Sequence, residues 1–157
     1  MFGHQFYPTP DWLVDKMLED LDLQIMANIL DPSAGKGNIL DRIREKTKDY
    51  RYSKINLYGI EIDKNLVAIL KDKNYKILHN DFLTYETYMK FSAIIMNPPF
   101  DSGDKHLLKA MEIQERSGGE IVCLLNAETI KNPYSNTRKN LLNKLEKYDA
   151  KIEFIED

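Results

Sequence analysis

The segment Met96-Asn97-Pro98-Pro99-Phe100 carries the sharpest chemical signal in the chain. Consecutive prolines Pro98 and Pro99 remove two backbone donors and fix φ, so a buried strand cannot continue through them. Asn97, the residue before a proline, is confined to extended backbone, which aims its side chain. The carboxamide oxygen of Asn97 and the backbone carbonyl of Pro98 can together accept both hydrogens of one amino group. An amino group conjugated to a ring or a carbonyl is a poor nucleophile because its lone pair is delocalised. Held between two acceptors, it can attack an electrophilic methyl group, and the acceptors stabilise positive charge as it develops. Phe100 supplies a ring on which a planar substrate can stack. The plainer alternative is a rigid turn with a buried phenylalanine.

A second group of residues suits a cationic, ribose-bearing ligand. In Asp31-Pro32-Ser33-Ala34-Gly35-Lys36-Gly37-Asn38, two glycines one residue apart permit a tight turn and close backbone approach to a ligand. A dinucleotide fingerprint would place a third glycine where Leu40 stands, and the phosphate loop G-x-x-x-x-G-K-[ST] is absent. Asp31 would repel a pyrophosphate at the mouth of this turn but would attract an ammonium group. Glu61 can accept from both hydroxyls of a ribose. Asp81 can accept from an adenine amino group, with Ile62 and Phe82 on either side of the ring. Each carboxylate alone is as readily a helix cap or a solvated loop residue; their order along the chain is what points to one ligand.

The elements needed to bring these residues together follow from the apolar pattern. Thr9-Pro10 predicts a helix start, followed by Leu13, Val14, Met17, Leu18 and Leu21 at helical spacing. Strands are expected over 25–30, 55–60, 76–78, 93–96 and 120–125, with a further one over 151–155. Helices are expected over 38–46, 65–71, 105–116 and 137–148. Alternation of this kind implies βαβ units and a three-layer α/β/α, Rossmann-like sheet, mostly parallel. Ligands of such sheets bind at the carboxyl ends of the strands. Asp31, Glu61, Asp81 and Asn97 each follow or close a predicted strand.

Bulk properties narrow the class further. The 157 residues are 43% hydrophobic and 30% charged, a balance that fits one globular domain spanning the chain. No apolar run reaches the roughly 18 residues that span a bilayer, and the N-terminus lacks a signal-peptide pattern. The lone Cys123 forms no internal disulfide and suits a reducing, cytoplasmic setting, where it reads as a small buried hydrophobe. The net charge of −3 argues against a tight, nonspecific grip on phosphate, although Lys105, Lys131, Arg138 and Lys139 could form a local basic face. His4, His79 and His106 have no metal-ligand spacing, so no metal site is expected.

Taken in order, these segments resemble the class I S-adenosylmethionine-dependent amino-methyltransferases, above all the N6-adenine DNA methyltransferases of bacteria and their phages. The resemblance runs from about Phe6 to Asn126. Phe6-Tyr7-Pro8-Thr9-Pro10 is similar to the N-terminal cofactor motif, with Tyr7 and Thr9 on the cofactor side and the threonine meeting the methionine carboxylate. The 31–37 segment is similar to the glycine-rich motif, Gly59-Ile60-Glu61-Ile62-Asp63 to the ribose motif, and Asn80-Asp81-Phe82 to the adenine motif. Asn97-Pro98-Pro99-Phe100 is similar to the catalytic tetrapeptide.

The resemblance implies S-adenosyl-L-methionine as cofactor and an exocyclic amino group as acceptor, with DNA expected before RNA. A protein glutamine amide, cytosine N4, or a cofactor-binding module dependent on a partner are the other readings. Two departures stand out. Only 57 residues follow Phe100, with no separate target-recognition region seen, so either the chain is a shortened piece or recognition comes from elsewhere, such as a specificity subunit or a second copy of the chain. The family's closing strand hairpin is also expected to be incomplete.

Overall fold

The computed structural model describes residues 8–51 and 54–156. Tyr7, with the rest of the N-terminal motif before Pro8, and His4 lie outside the described residues. Five strands form one sheet: β1 (Asn28–Asp31), β2 (Asn56–Ile60), β3 (Lys76–His79), β4 (Ala93–Met96) and β5 (Glu120–Cys123). They are ordered β3-β2-β1-β4-β5, and every neighbouring pair is parallel. The direction of progression reverses between β1 and β4, so a crevice opens at their carboxyl ends.

Among the described residues, six helices flank the sheet: α1 (Asp11–Leu18), α2 (Asn38–Thr47), α3 (Lys64–Asp72), α4 (Gly103–Ser117), α5 (Ala127–Lys131) and α6 (Asn136–Lys147). The pleat sends alternate residues to opposite faces. Ile29, Ala93 and Ile95 pack against Val14 and Met17 of α1 and Ile39 and Ile43 of α2. Leu30, Ile94 and Met96 pack on the other face against Ala110 and Ile113 of α4. Leu141 of α6 joins Leu107 and Met111 on that face. Both faces of the central strands are therefore covered, which is why β4 reads as an unbroken apolar run and is buried throughout.

Several expectations are corrected. The first strand begins at Asn28, because Leu23–Ile25 forms a 3-10 turn capped by Asp22, whose carboxylate accepts from the Gln24 amide. Pro10, not Thr9, is the N-cap of α1, and it offers no side-chain acceptor. The fifth strand ends at Cys123, and an unforeseen short helix, α5, follows, capped by Asn126 accepting from the Glu128 amide. Residues 151–156 form no strand. They run exposed along α1, where Glu153 pairs with Lys16 at 2.9 Å and Lys151 with Asp20 at 2.8 Å.

Candidate active site

The crevice between β1 and β4 holds a cleft of about 260 Å³. Its wall is built by Pro8 and Thr9, by Asp31 and the turn Ser33–Lys36, by Glu61–Asp63, and by Asn97–Phe100. The sheet thus brings four of the predicted motifs to one place, although 88 residues separate Thr9 from Asn97.

The turn after β1 is held from several sides. The Ala34 amide donates to Ile60 O at 3.0 Å, tying the turn to the end of β2. Gly35 and Gly37 have φ of 58° and 94°, a region open mainly to glycine. Glu61, only 9% exposed, accepts from the Gly35 amide through Oε1 and from the Asp63 amide through Oε2, each at 2.8 Å. It therefore shapes the cleft floor as well as facing it, and each oxygen retains a lone pair for another donor. Asp63, which sequence reasoning left without a role, caps α3 by accepting from the Asn65 and Leu66 amides.

Asp31 is the electrostatic anomaly of the site. It is 1% exposed; Oδ1 accepts from the Ser33 amide at 3.0 Å, while Oδ2 is buried with no hydrogen-bond partner. Burial pushes its carboxyl up to about 7, aided by the nearby Glu61 charge and opposed by the Ser33 amide. A buried acceptor with no donor is costly unless a ligand completes it.

The tetrapeptide is fastened to this turn and to the N-terminal segment. Ser33 Oγ donates to the Asn97 backbone carbonyl at 3.0 Å. The Asn97 side-chain nitrogen donates to Thr9 Oγ1 at 3.0 Å, and Asn38 Nδ2 donates to Thr9 O at 3.1 Å. With its nitrogen turned to Thr9, the Asn97 carboxamide has a defined orientation. Pro98 is buried and Pro99 partly so, whereas Phe100 is 55% exposed at the cleft rim. The plain reading of Phe100 as a buried anchor is therefore excluded.

Four predicted residues do not line the cleft: Pro32, Gly37, Asp81 and Phe82. A Cβ on Gly37 would lie 3.1 Å from Leu70 Cδ2 and 3.3 Å from the Tyr75 ring, so this glycine serves packing against α3. Asp81 accepts from the Leu83 amide, capping a 3-10 turn over Phe82–Thr84. Phe82 is 2% exposed, its ring 6.0 Å from that of His106. Ile62, by contrast, is 68% exposed on the cleft side. Only one wall of the expected adenine sandwich thus stands open. Asn38, which closes the glycine turn, also lines the cleft, as do Ile39 and Leu66, which have the pattern of ordinary helix residues with nothing local to distinguish them.

Of the expected basic face, Arg138 is engaged locally. Its Nη1 donates to the carbonyls of Glu128 and Asn132, and its guanidinium lies 4.5 Å from the Tyr134 ring. Cys123 is partly buried, and desolvation raises its thiol far above the ordinary range. Among the described residues no group of three His, Cys, Asp or Glu is placed to hold a metal ion, and no helix is long and apolar enough to cross a membrane.

A parallel, doubly wound sheet with a glycine turn, acidic strand ends and a ligand cleft at its switch point is the architecture of Rossmann-like methyltransferases. Residues 10–154 match the methyltransferase small domain family, and the chain belongs to it. The chain is similar to the Type II methyltransferase M.CvrRI of Paramecium bursaria Chlorella virus XZ-6E, 38% identical over 62% of this chain and 26% of that protein. It is also similar to the tRNA1(Val) (adenine(37)-N6)-methyltransferase of Aliivibrio fischeri, 31% identical over 54% of this chain and 38% of that enzyme. The chain thus spans well under half the length of these relatives. Among solved structures, the methyltransferase subunit of a Streptococcus thermophilus type I restriction-modification system superposes with a TM-score of 0.71 at 15% identity, covering 90% of this chain and 38% of the other. Coclaurine N-methyltransferase bound to N-methylheliamine and S-adenosylhomocysteine superposes with a TM-score of 0.53 at 14% identity, covering 73% of this chain and 34% of the other.

Proposed function

We propose that this domain transfers a methyl group from S-adenosyl-L-methionine to the N6 amino group of adenine, with DNA as the substrate. The observation that carries the reading is the placement of Asp31 and Asn97 on one cleft, joined through Ser33. Asp31 presents a buried carboxylate oxygen that lacks a donor, which is the complement of an amino acid's ammonium group. The donor set fits the rest of the cofactor as well. Glu61 retains acceptor capacity for ribose hydroxyls, Thr9 on the cleft wall is assigned to the methionine carboxylate, and Ile62 offers apolar surface to adenine. Asp81, behind its turn, is assigned to the adenine amino group. When bound, the cofactor supplies an electrophilic methyl on a sulfonium.

The chain's own residues would do the remainder. Asn97 and the Pro98 carbonyl accept the two hydrogens of the substrate amino group and fix its lone pair in line for attack. Their interaction strengthens as the nitrogen becomes cationic, so it lowers the barrier more than it strengthens ground-state binding. Phe100, exposed at the rim, stacks on the base. Little general-base strength is needed, because the proton becomes acidic only as the new bond forms.

RNA adenine is the second reading, and the similarity to a tRNA adenine-N6 methyltransferase favours it. In either case we assign recognition of the target to a specificity subunit, a second copy or further chain. The test is transfer of labelled methyl groups to DNA, total RNA and protein extract, followed by nucleoside analysis. N6-methyl-2′-deoxyadenosine from DNA supports the first reading, and N6-methyladenosine from RNA the second. Label only in protein, or none with cofactor bound, overturns both.

A further inference from the structure

His106 is a buried titratable side chain that the proposed chemistry does not use. It stands one turn into α4, the helix that begins directly behind the tetrapeptide, and is 8% exposed. Its ring nitrogen Nδ1 lies 2.9 Å from the backbone carbonyl of Ser102. A carbonyl only accepts, so Nδ1 carries the proton and Nε2 a lone pair in the neutral ring. Burial lowers the ring's pKa, against the nearby charges of Asp81, Asp104 and Asp101, which favours that neutral form. The Ser102 amide in turn donates to Pro99 O at 3.2 Å. On its other side the imidazole faces Phe82, the residue after Asp81. One turn further along α4, Lys109 is buried and reaches Glu86, just beyond the Phe82–Thr84 turn, at 3.2 Å. Helix α4 therefore grips the loop after β3 at two successive turns, and its first turn also meets the loop after β4, where the Ser102 carbonyl accepts from both the backbone amide and the ring Nδ1 of His106.

We propose that His106 is a positioning residue that couples the two halves of the cleft, transmitting order from the adenine-side loop of Asp81 and Phe82 to the target-side loop of Pro99–Ser102. The inference rests on the proposed cofactor reading. On that reading, engagement of Asp81 by the adenine amino group would restrain the Phe82–Thr84 turn that Asp81 caps, and the imidazole packed on Phe82 would pass that restraint to Ser102 and Pro99, so that the base-stacking loop is set before substrate arrives. A cofactor-loaded enzyme then spends less conformational entropy when it takes up its target.

Hydrogen exchange with and without S-adenosylhomocysteine tests this, with calorimetric titration alongside. In the parent protein the ligand is expected to slow exchange of the amides of Phe100–Gly103 by about fivefold or more, the lower end of ordinary coupling between sites. His106→Ala should still bind the ligand but lose that slowing. His106→Asn, which keeps a donor in the place of Nδ1, should restore part of it, and His106→Phe, which keeps only the ring contact, should not. A merely structural role would lower the melting temperature without separating ligand binding from protection. If His106→Ala fails to fold, the contrast between the asparagine and phenylalanine variants decides. Equal slowing in the variants and the parent, or ligand binding to the parent with no slowing at Phe100–Gly103, overturns the coupling. Absence of any S-adenosylhomocysteine binding to the parent overturns the cofactor reading itself.

Discussion

Asn97 shows how much one side chain can be asked to do when its neighbours hold it. Its nitrogen is committed to Thr9 and its backbone carbonyl to Ser33, so truncation removes the acceptor while the proline-locked backbone stays in place. Asn97→Ala should therefore lower single-turnover methyl transfer by roughly 10²-fold or more while leaving cofactor affinity nearly unchanged. Transfer at the parent rate would remove Asn97 from the chemistry. Asp31 makes a prediction about pH. Its carboxyl in the folded chain titrates near 7, above the ordinary 3.8, so the folded state holds the extra proton between those values. Stability without ligand should then fall as pH rises from about 4 to 7, since the unfolded chain releases that proton first. Asp31→Asn should flatten this slope, stabilise the ligand-free protein at pH 8, and abolish cofactor binding. Thermal melts of both proteins across that range check the sign; a parallel pair of curves would show that Asp31 is not the titrating group.

At the scale of elements, the glycine turn and the end of β2 stand or fall together. Glu61→Ala deletes the acceptors of two backbone amides as well as the proposed ribose contact. It should cost on the order of 1–3 kcal/mol in stability and a comparable amount in S-adenosylhomocysteine affinity, measured by denaturant titration and by calorimetry well below the melting point. Loss of affinity at unchanged stability would mean that the turn holds itself. Gly37→Ala separates the two roles differently. It forces an alanine to φ near 94° and drives a methyl against Leu70 and Tyr75. Destabilisation by roughly 1–3 kcal/mol is expected, with cofactor affinity of the folded fraction largely retained because Gly37 does not face the cleft.

For the molecule as a whole, the proposed reaction requires the target base to leave its stack, because a paired base cannot present its amino group to Asn97 and to the methyl group together. Fluorescence of 2-aminopurine at a methylated position should rise when an active duplex substrate binds; constant fluorescence on such a substrate would argue against extrusion. The C-terminal segment is the other whole-molecule question. Residues 151–156 touch the body of the protein through exposed, solvent-screened ion pairs and through Lys131 stacked on Phe154. Exchange there should be fast in a monomer, and faster still at high salt. Slow exchange in a demonstrated monomer would show that the segment is held more firmly than these contacts allow.

The parallel α/β architecture was legible in the chain, because apolar runs of strand length alternate with amphipathic stretches, and both are local patterns. The sequence also determined the backbone of the tetrapeptide, since two prolines constrain it in any context. It placed Asp31, Glu61 and Asn97 at strand ends, and a parallel sheet necessarily gathers such ends on one edge. What it could not supply were long-range consequences of packing. Thr9 looked like a helix cap, and only the approach of β4 gave its hydroxyl to Asn97. Phe82 looked like a ligand wall, yet α4 covers it with His106. The segment over 151–155 has strand composition but finds no ladder, because pairing depends on a neighbour that composition cannot reveal. The unpaired oxygen of Asp31 is likewise invisible in one dimension. Its isolation is a property of everything that closes around it, and only the tertiary structure decides that.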